Sequence, residues 1–378
     1  HISPDLLSAI HLETKLDEAI IQAALDGKDI VLTGNPGDGK THIIRLLKNK
    51  LEGLEKPIHI ELDASTLSNE AIYAKWKAAR ESKTPFVIAI NAAVLFSVYQ
   101  KYPEFEPIKD AYYQMSHSVV FHDEDLNCEN LVVYDLSKRE VLTAEILHKA
   151  IDKLTDANHY KECATCPLNE SCAVHKNCAL LKNGLFQDRL FVILQRASLQ
   201  GYHATVRELQ SFIAYLIFGN RSCKIISRTT GSNQYNLVNL VYSGKGAFFD
   251  VIRNAIDPVD ISHPTWDEKI LLNDIPADSW VDGYEVPAEA IAYDNYELFK
   301  LRKRQFFFFN RYGDELLKLI YDDVTHFQEF LNQDSGKLIK DLIRKLNTFF
   351  GSAKASNSEF QIWTGHRYDQ WVQSRKVA

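Results

Sequence analysis

The stretch Ile30-Val31-Leu32-Thr33-Gly34-Asn35-Pro36-Gly37-Asp38-Gly39-Lys40-Thr41-His42-Ile43-Ile44-Arg45-Leu46 restricts the fold of this chain more than any other. A β-branched apolar run ends at Thr33, a glycine-rich loop follows, and Ile43, Ile44, Leu46 and Leu47 then recur at helical spacing. The pattern is G-x-x-x-x-G-K-[ST] between a strand and a helix, the setting in which it has a mechanical meaning. Glycines let the backbone curl so that N–H groups converge on an anion. The helix N-terminus adds its partial positive charge at the same point. Lys40 can reach the β- and γ-phosphates, and Thr41 can offer a hydroxyl to Mg²⁺. The expected contacts to ATP therefore run through Gly34, Asn35, Pro36, Gly37, Asp38, Gly39, Lys40, Thr41 and His42.

The flanking sequence predicts the rest of an α/β core. Residues 4–26 read as helical, with apolar positions from Leu6 to Ala23 and a gap at Glu13-Thr14, and Gly27 ends the pattern. Strands are expected at Ile58–Leu62, at Pro85–Asn91, at Val119–His122 and at Leu131–Asp135, with helices between them. The second of these apolar runs, Phe86 to Ile90, is unbroken, as in a strand covered on both faces. Alternating strands and helices imply a three-layer parallel sheet between helices. Four parts are expected: an α/β core over 1–155, a cysteine-rich insertion over 156–184, a helical lid over 185–222, and a β-hairpin with an α-rich C-terminal domain over 223–378.

A loop of this kind works with an acid that helps hold Mg²⁺, usually at the end of a neighbouring strand. The strand Val87–Ile90 ends instead in Asn91-Ala92. Asn91 can accept a hydrogen bond from a metal-bound water, whereas Ala92 can do no acid–base work. Three readings follow: an active site altered at Ala92 that traps ATP, an acid supplied by Asp135, or an acid supplied by Asp63. Both aspartates also suit capping of the turn after a strand, and for Asp63-Ala64-Ser65 capping is the stronger expectation.

Cys163, Cys166, Cys172 and Cys178 fall close together and open with C-x-x-C. Thiolates in such spacing suit Zn²⁺ in a closed tetrahedral site, with His175 as a substitute for Cys178. An iron–sulfur cluster is the less favoured alternative. So few apolar residues surround these cysteines that metal binding is expected to supply the folding energy. With six cysteines, most of them clustered, a reducing compartment and a metal fit better than disulfides, and a cytoplasmic location is expected. The net charge of −7 argues against a basic DNA-binding domain acting alone. No long apolar run suggests a membrane span.

Three arginines sit where a phosphate or a neighbouring subunit could be met. Arg139 follows the Leu131–Asp135 strand, and Arg189 starts a helix that Gly201 ends. Arg207 lies in the first turn of a helix opened by the capping box Thr205/Glu208. A cation there opposes the helix dipole, and reaching the γ-phosphate would explain its presence. Thr143 is expected to cap a further helix. Beyond Asn220, Lys224–Ser227 and Tyr235–Tyr242 around Thr230–Asn233 read as a hairpin that could present Lys224 and Arg228 to nucleic acid. Residues 257–287 read as a loop-rich bridge. Phe306 to Phe309 are expected in a core, with Arg302, Lys303 and Arg304 on a solvated face; the competing reading is a nucleic-acid contact.

Taken in order, GNPGDGKT, PFVIAINAAVL, LVVYDLSKREVL, the cysteine cluster and GYHATVRELQSFIAYLIFG resemble the AAA+-type ATPase subunits of DNA phosphorothioation-dependent restriction systems (the DptF/DndF type). The resemblance spans most of the chain, but only the glycine loop and the cysteine cluster are specific by themselves. It implies an ATP-driven subunit of a phage-defence complex that attacks DNA lacking a sulfur-modified backbone. Other restriction subunits, DNA in the assembled complex and further copies of the same chain would be its partners. It also implies a sensor role for Arg207, a trans arginine finger at Arg189 or Arg139, and a glutamate where Ala92 stands. The rival expectation is a nucleotide-dependent sensor or scaffold that binds ATP and oligomerises without turnover.

Overall fold

The computed structural model describes residues 9–52, 57–117, 130–168, 171–226, 236–281, 284 and 295–317, isolated positions between 339 and 346, and the backbone of 360–367 and 370–377. The expected strand at Val119–His122 and the turn at Thr230–Asn233 lie outside the described residues. The chain divides into two compact units, 1–311 and 312–378. Among the described residues no helix is long and apolar enough to cross a membrane.

The first unit is built on four parallel strands: β1 (Asp29–Thr33), β2 (His59–Glu61), β3 (Phe86–Ala89) and β4 (Leu131–Asp135), in the order β2-β3-β1-β4. Ile30 pairs with Val87 on one side of β1 and with Val132 on the other. The side-chain period of two then separates two cores. Ile30, Leu32, Val87 and Ala89 meet Ile20, Ala23 and Ala24 of α1 (Lys15–Leu25) and Ile43, Ile44, Leu47 and Leu51 of α2 (Lys40–Glu52). Val31, Phe86, Ile88 and Ile90 face Ile72, Trp76 and Ala79 of α3 (Asn69–Glu81), Leu95 and Val98 of α4 (Ala92–Lys101), and Ile108 and Ala111 of α5 (Glu106–His117). The result is the expected α/β sheet covered on both faces. Because β1 connects onward to β2 while β3 connects across β1 to β4, the chain reverses its winding beside the C-terminal end of β1. Open α/β sheets hold their ligands at such a switch point.

Capping ends the elements where the sequence indicates. Thr143 accepts a hydrogen bond from the Ile146 N–H at 3.2 Å and starts α6 (Ala144–Leu154). After α7 (Ala173–Leu181) and α8 (Gly184–Leu199), the capping box forms as expected at α9 (Val206–Phe218). There the Thr205 N–H donates to Glu208 at 2.9 Å while the Glu208 N–H donates to the Thr205 hydroxyl. The expected borders at 155, 184 and 222 all fall inside the first unit. Packing explains this: α9 lies on α6 and α7, and α8 lies on α6 and on α14 (Tyr296–Phe309).

Several expectations past Asn220 are corrected. The hairpin is absent from the described residues, because its flanks form helices: α10 (Cys223–Ile226) and α11 (Leu237–Ser243). Leu237, Val238, Leu240 and Val241 are all buried at helical spacing, and Asn236 accepts from the Val238 N–H, so β-branched content alone misled. α12 (Ala247–Ala255) follows. The expected loop-rich bridge contains α13 (Pro264–Leu272) and two 3₁₀ turns, since a proline in the first helical turn starts a helix. Phe306 to Phe309 are fully buried, as expected. Their cations are not solvated. Lys303 is 1% exposed and paired with Asp267 at 2.6 Å, and Arg304 pairs with Asp257 at 2.5 Å. Arg302 is buried as well and donates to Asn273. These ties remove the nucleic-acid reading of that helix. In the second unit, the strands β5 (Phe360–Arg367) and β6 (Gln370–Val377) pair antiparallel, a pairing not anticipated within the α-rich C-terminal domain.

Candidate functional site

The loop after β1 lies at the switch point and opens directly into α2 at Lys40. Gly34, Gly37 and Gly39 all have positive φ, at 139°, 104° and 95°, which side-chain-bearing residues rarely adopt. A Cβ on Gly34 would also strike the Asp38 carboxylate at 2.8 Å, and one on Gly37 would press on the Thr205 hydroxyl at 3.2 Å. Thr205 caps α9, so the start of that helix rests against the glycine loop. The spacing of the motif gives no hint of this contact.

Lys40 donates from Nζ to the carbonyls of Gly34 at 2.7 Å and Asn35 at 2.9 Å. Burial lowers its pKa, opposed by the carboxylates of Asp38, Asp63 and Asp135. Thr41 donates to the Leu62 carbonyl at 3.4 Å, which puts its hydroxyl beside the end of β2. Asp63 is the next residue. Its Oδ1 accepts from the Ser65 N–H at 2.9 Å, the turn cap expected from sequence. The Ser65 hydroxyl and N–H hold this carboxyl below the usual carboxylate range, so it stays ionised. Asp135 likewise caps its own turn, accepting from the Ser137 N–H and hydroxyl, with Lys138 at 3.9 Å. Asn91 caps α4 through the Val94 N–H at 2.9 Å, and Ala92 begins that helix.

Two clefts meet over this loop. One, of about 550 Å³, is lined by Gly34, Lys40, Thr41, Asp63, Asn91 and Arg207 among others. The second, of about 320 Å³, takes in Ile10, His11, Leu12, His42, Arg139, Val206 and Gln210. Gly37, Gly39, His42 and Arg207 belong to both. The first is the more polar of the two and is bordered by the glycine loop, as a triphosphate requires. The second combines apolar walls with a few polar groups, as a heterocyclic base requires. Asp38 Oδ1, His42 Nε2 and Arg139 Nη2 are buried without a hydrogen-bond partner, and all three residues line the second cleft. Buried polar atoms seldom lack partners, so three in one cleft point to a ligand. Burial lowers the pKa of Arg139 and, with the charges of His11 and Arg45, that of His42.

The three arginines therefore separate. Arg207 stands exposed over both clefts. Arg139 belongs to the second cleft of its own chain rather than to an outward surface. Arg189 is 8% exposed and lies 5.8 Å from the Phe307 ring, touching neither cleft, which removes it as a finger reaching a neighbour. Sequence reasoning missed the segment Ile10–Leu12, whose apolar residues carry no motif and meet the cleft only through tertiary packing.

Apart from this site, Cys163, Cys166 and Cys172 line a small cavity with Cys223, which the motif did not include; Cys178 is not among its walls. Among the described residues no three His, Cys, Asp or Glu side chains are gathered closely enough, as they stand, to hold a metal ion. Neither a protein-family model, a curated protein nor a solved structure matches the chain.

Proposed function

We propose that this chain is an AAA+-type P-loop ATPase that binds ATP·Mg²⁺ at the C-terminal edge of its sheet. The observation that carries the reading is the meeting of two clefts over residues 34–40, with three buried polar atoms that make no hydrogen bond on the walls of one. The triphosphate lies on the glycine loop and the adenine in the cleft of Leu12 and Arg139. Lys40 exchanges the Gly34 and Asn35 carbonyls for phosphate oxygens, so that its ammonium meets charged acceptors in place of neutral ones. Thr41 and Asp63 are the residues that would hold Mg²⁺, which when bound neutralises charge on the β- and γ-phosphates. Their adjacency and the ionised state of Asp63 fit that role. Arg207, at the start of α9, senses the γ-phosphate, and α9 with its neighbours acts as the lid.

The sequence resemblance extends this to an energy-supplying subunit of a cytoplasmic DNA restriction complex. Cutting then belongs to a partner subunit, because this chain has no recognised nuclease constellation. A second reading has its own support. Asn91 spends its side chain on a helix cap and Ala92 offers no base, so the end of β3 lacks a group to activate water. On that reading the chain is a nucleotide-dependent sensor or scaffold that oligomerises without turnover.

ATP binding and turnover, with and without DNA, in the natural sequence, Lys40→Ala and Ala92→Glu decide between them. DNA-stimulated turnover lost in Lys40→Ala supports the ATPase. Binding without turnover in every form supports the scaffold, and no binding in any form removes both.

A further inference from the structure

The cavity beside the cysteine segment has a volume of about 70 Å³ and four thiols in its wall. Cys163 and Cys166 come from one turn, in which the Cys166 N–H donates to the Cys163 carbonyl at 3.0 Å. Cys172 is the residue capping α7, and Cys223 opens α10 from beyond α9. Leu168, Val174, Phe218 and Ile226 complete the wall with apolar surface. His175 adds a buried Nε2 that has no hydrogen-bond partner.

Cys178, on α7, is not part of this wall.

The segment has little else to hold it. Between Ala157 and Thr165 no side chain is buried. A stretch whose main anchor is the half-buried Tyr160, stacked on Phe218, offsets little of the entropy of being ordered, on the order of 1–2 kcal/mol per residue for the backbone alone. Bonds to a metal supply that deficit in small cysteine modules.

We propose that Cys163, Cys166, Cys172 and Cys223 form a four-thiolate zinc site, with Cys178 outside it. The thiols are not gathered as they stand, but each moves on a single side-chain torsion and the ion's four bonds draw them together. Four thiolates on Zn²⁺ leave two negative charges, and the His175 imidazole N–H supplies a donor to a sulfur, as outer-shell groups do at metal centres. The site fastens the cysteine segment to α10 and to the Phe218 end of α9. This inference does not depend on the nucleotide reading.

The test uses the full chain purified without chelator, its metal measured by elemental analysis, then exchanged with Co²⁺ to count thiolates from the sulfur-to-cobalt absorption. The expected result is one zinc per chain in the natural sequence and in Cys178→Ser, with a four-sulfur cobalt spectrum in both. Cys223→Ser should bind at least about tenfold more weakly, the smallest loss expected for a missing group at a metal centre. Cys223→His, which keeps a ligand, should retain zinc with a three-sulfur spectrum; this separates loss of a ligand from loss of fold. Zinc retained in Cys223→Ser but lost in Cys178→Ser overturns the ligand set. A natural chain without metal overturns the site. Iron with acid-labile sulfide overturns the choice of zinc.

Discussion

The two edges of the parallel sheet use the same residue type in opposite ways. At the N-terminal edge, Asp29 is 3% exposed and its carboxylate is fully occupied. It accepts from the Trp76 indole N–H at 2.9 Å and the Phe86 N–H at 2.8 Å, with the Arg80 guanidinium at 3.6 Å. At the C-terminal edge, Asp63 gives one oxygen to its own turn, and Asp38 accepts the Asn35 N–H at 2.5 Å while its other oxygen stays buried without a hydrogen bond, with His203 Nε2 at 3.8 Å. Desolvating a carboxylate is tolerable where every partner is present and costly where one is missing. The closed network therefore marks structure, and the open one marks a place where a ligand is expected.

That contrast can be broken at either edge. The largest effect belongs to Asp29→Ala, which strands the Trp76 and Phe86 N–H groups and leaves Arg80 without its buried partner. Each stranded buried donor costs about 1–3 kcal/mol, whereas Arg80, 38% exposed, is screened by solvent and adds little. Denaturant unfolding should show the drop, with ATP affinity retained wherever the protein is folded; an unchanged midpoint would mean that this edge is not structural. Lys40→Ala should do the reverse. An affinity loss of about a hundredfold, equivalent to ~2.7 kcal/mol, is expected by calorimetry, with the melting temperature of the ligand-free protein little changed.

Ala92→Glu sharpens the comparison by adding an acid to the open edge. Turnover should rise at least about tenfold, a floor set below the roughly 10²–10⁴-fold of a well-positioned general base. Unchanged turnover with ATP binding intact would remove the idea that β3 lacks its base. Asp63→Asn and Asp135→Asn separate the two capping aspartates. Asparagine keeps the turn hydrogen bond in each, so only a cation should notice. Magnesium dependence should weaken by about tenfold, ~1.4 kcal/mol, in Asp63→Asn and hardly at all in Asp135→Asn; equal effects would argue against Asp63 as the cation's partner.

The smallest effect is a pH dependence. Burial, then the charges of His11 and Arg45, hold His42 below its ordinary 6.5, against the pull of Asp17. The unfolded chain then binds a proton more readily than the folded one. The contribution of His42 to stability is complete above 6.5 and is lost as pH falls through the lowered folded value. Melting temperature should fall with acid over that window, and His42→Asn should flatten the slope. An identical slope in the variant would show that other groups set it.

The legible parts of the chain are those whose physics is local. The glycine loop, the Thr205/Glu208 box, the Thr143 cap and the four parallel strands each follow from spacing of a few residues. Misreadings arose where distant residues decided the outcome. Lys303 is charged and stands between two arginines, yet Asp267 and the Ile261 carbonyl make its burial tolerable. Arg189 looked like a surface cation and instead lies against Phe307. Neither partner is near in sequence.

By itself the sequence determined that strand, glycine loop and helix occur in succession, because backbone freedom at glycine and the apolar period need no distant partner. It also determined that cysteines crowd one segment. Only the tertiary structure decided which acid stands beside Thr41, since that depends on which strand end the sheet order brings there. It likewise brought Ile10–Leu12 and Arg139 to the second cleft, and Cys223 to the wall with Cys163. Such contacts join residues far apart along the chain, and burial and sheet order, not spacing, select them.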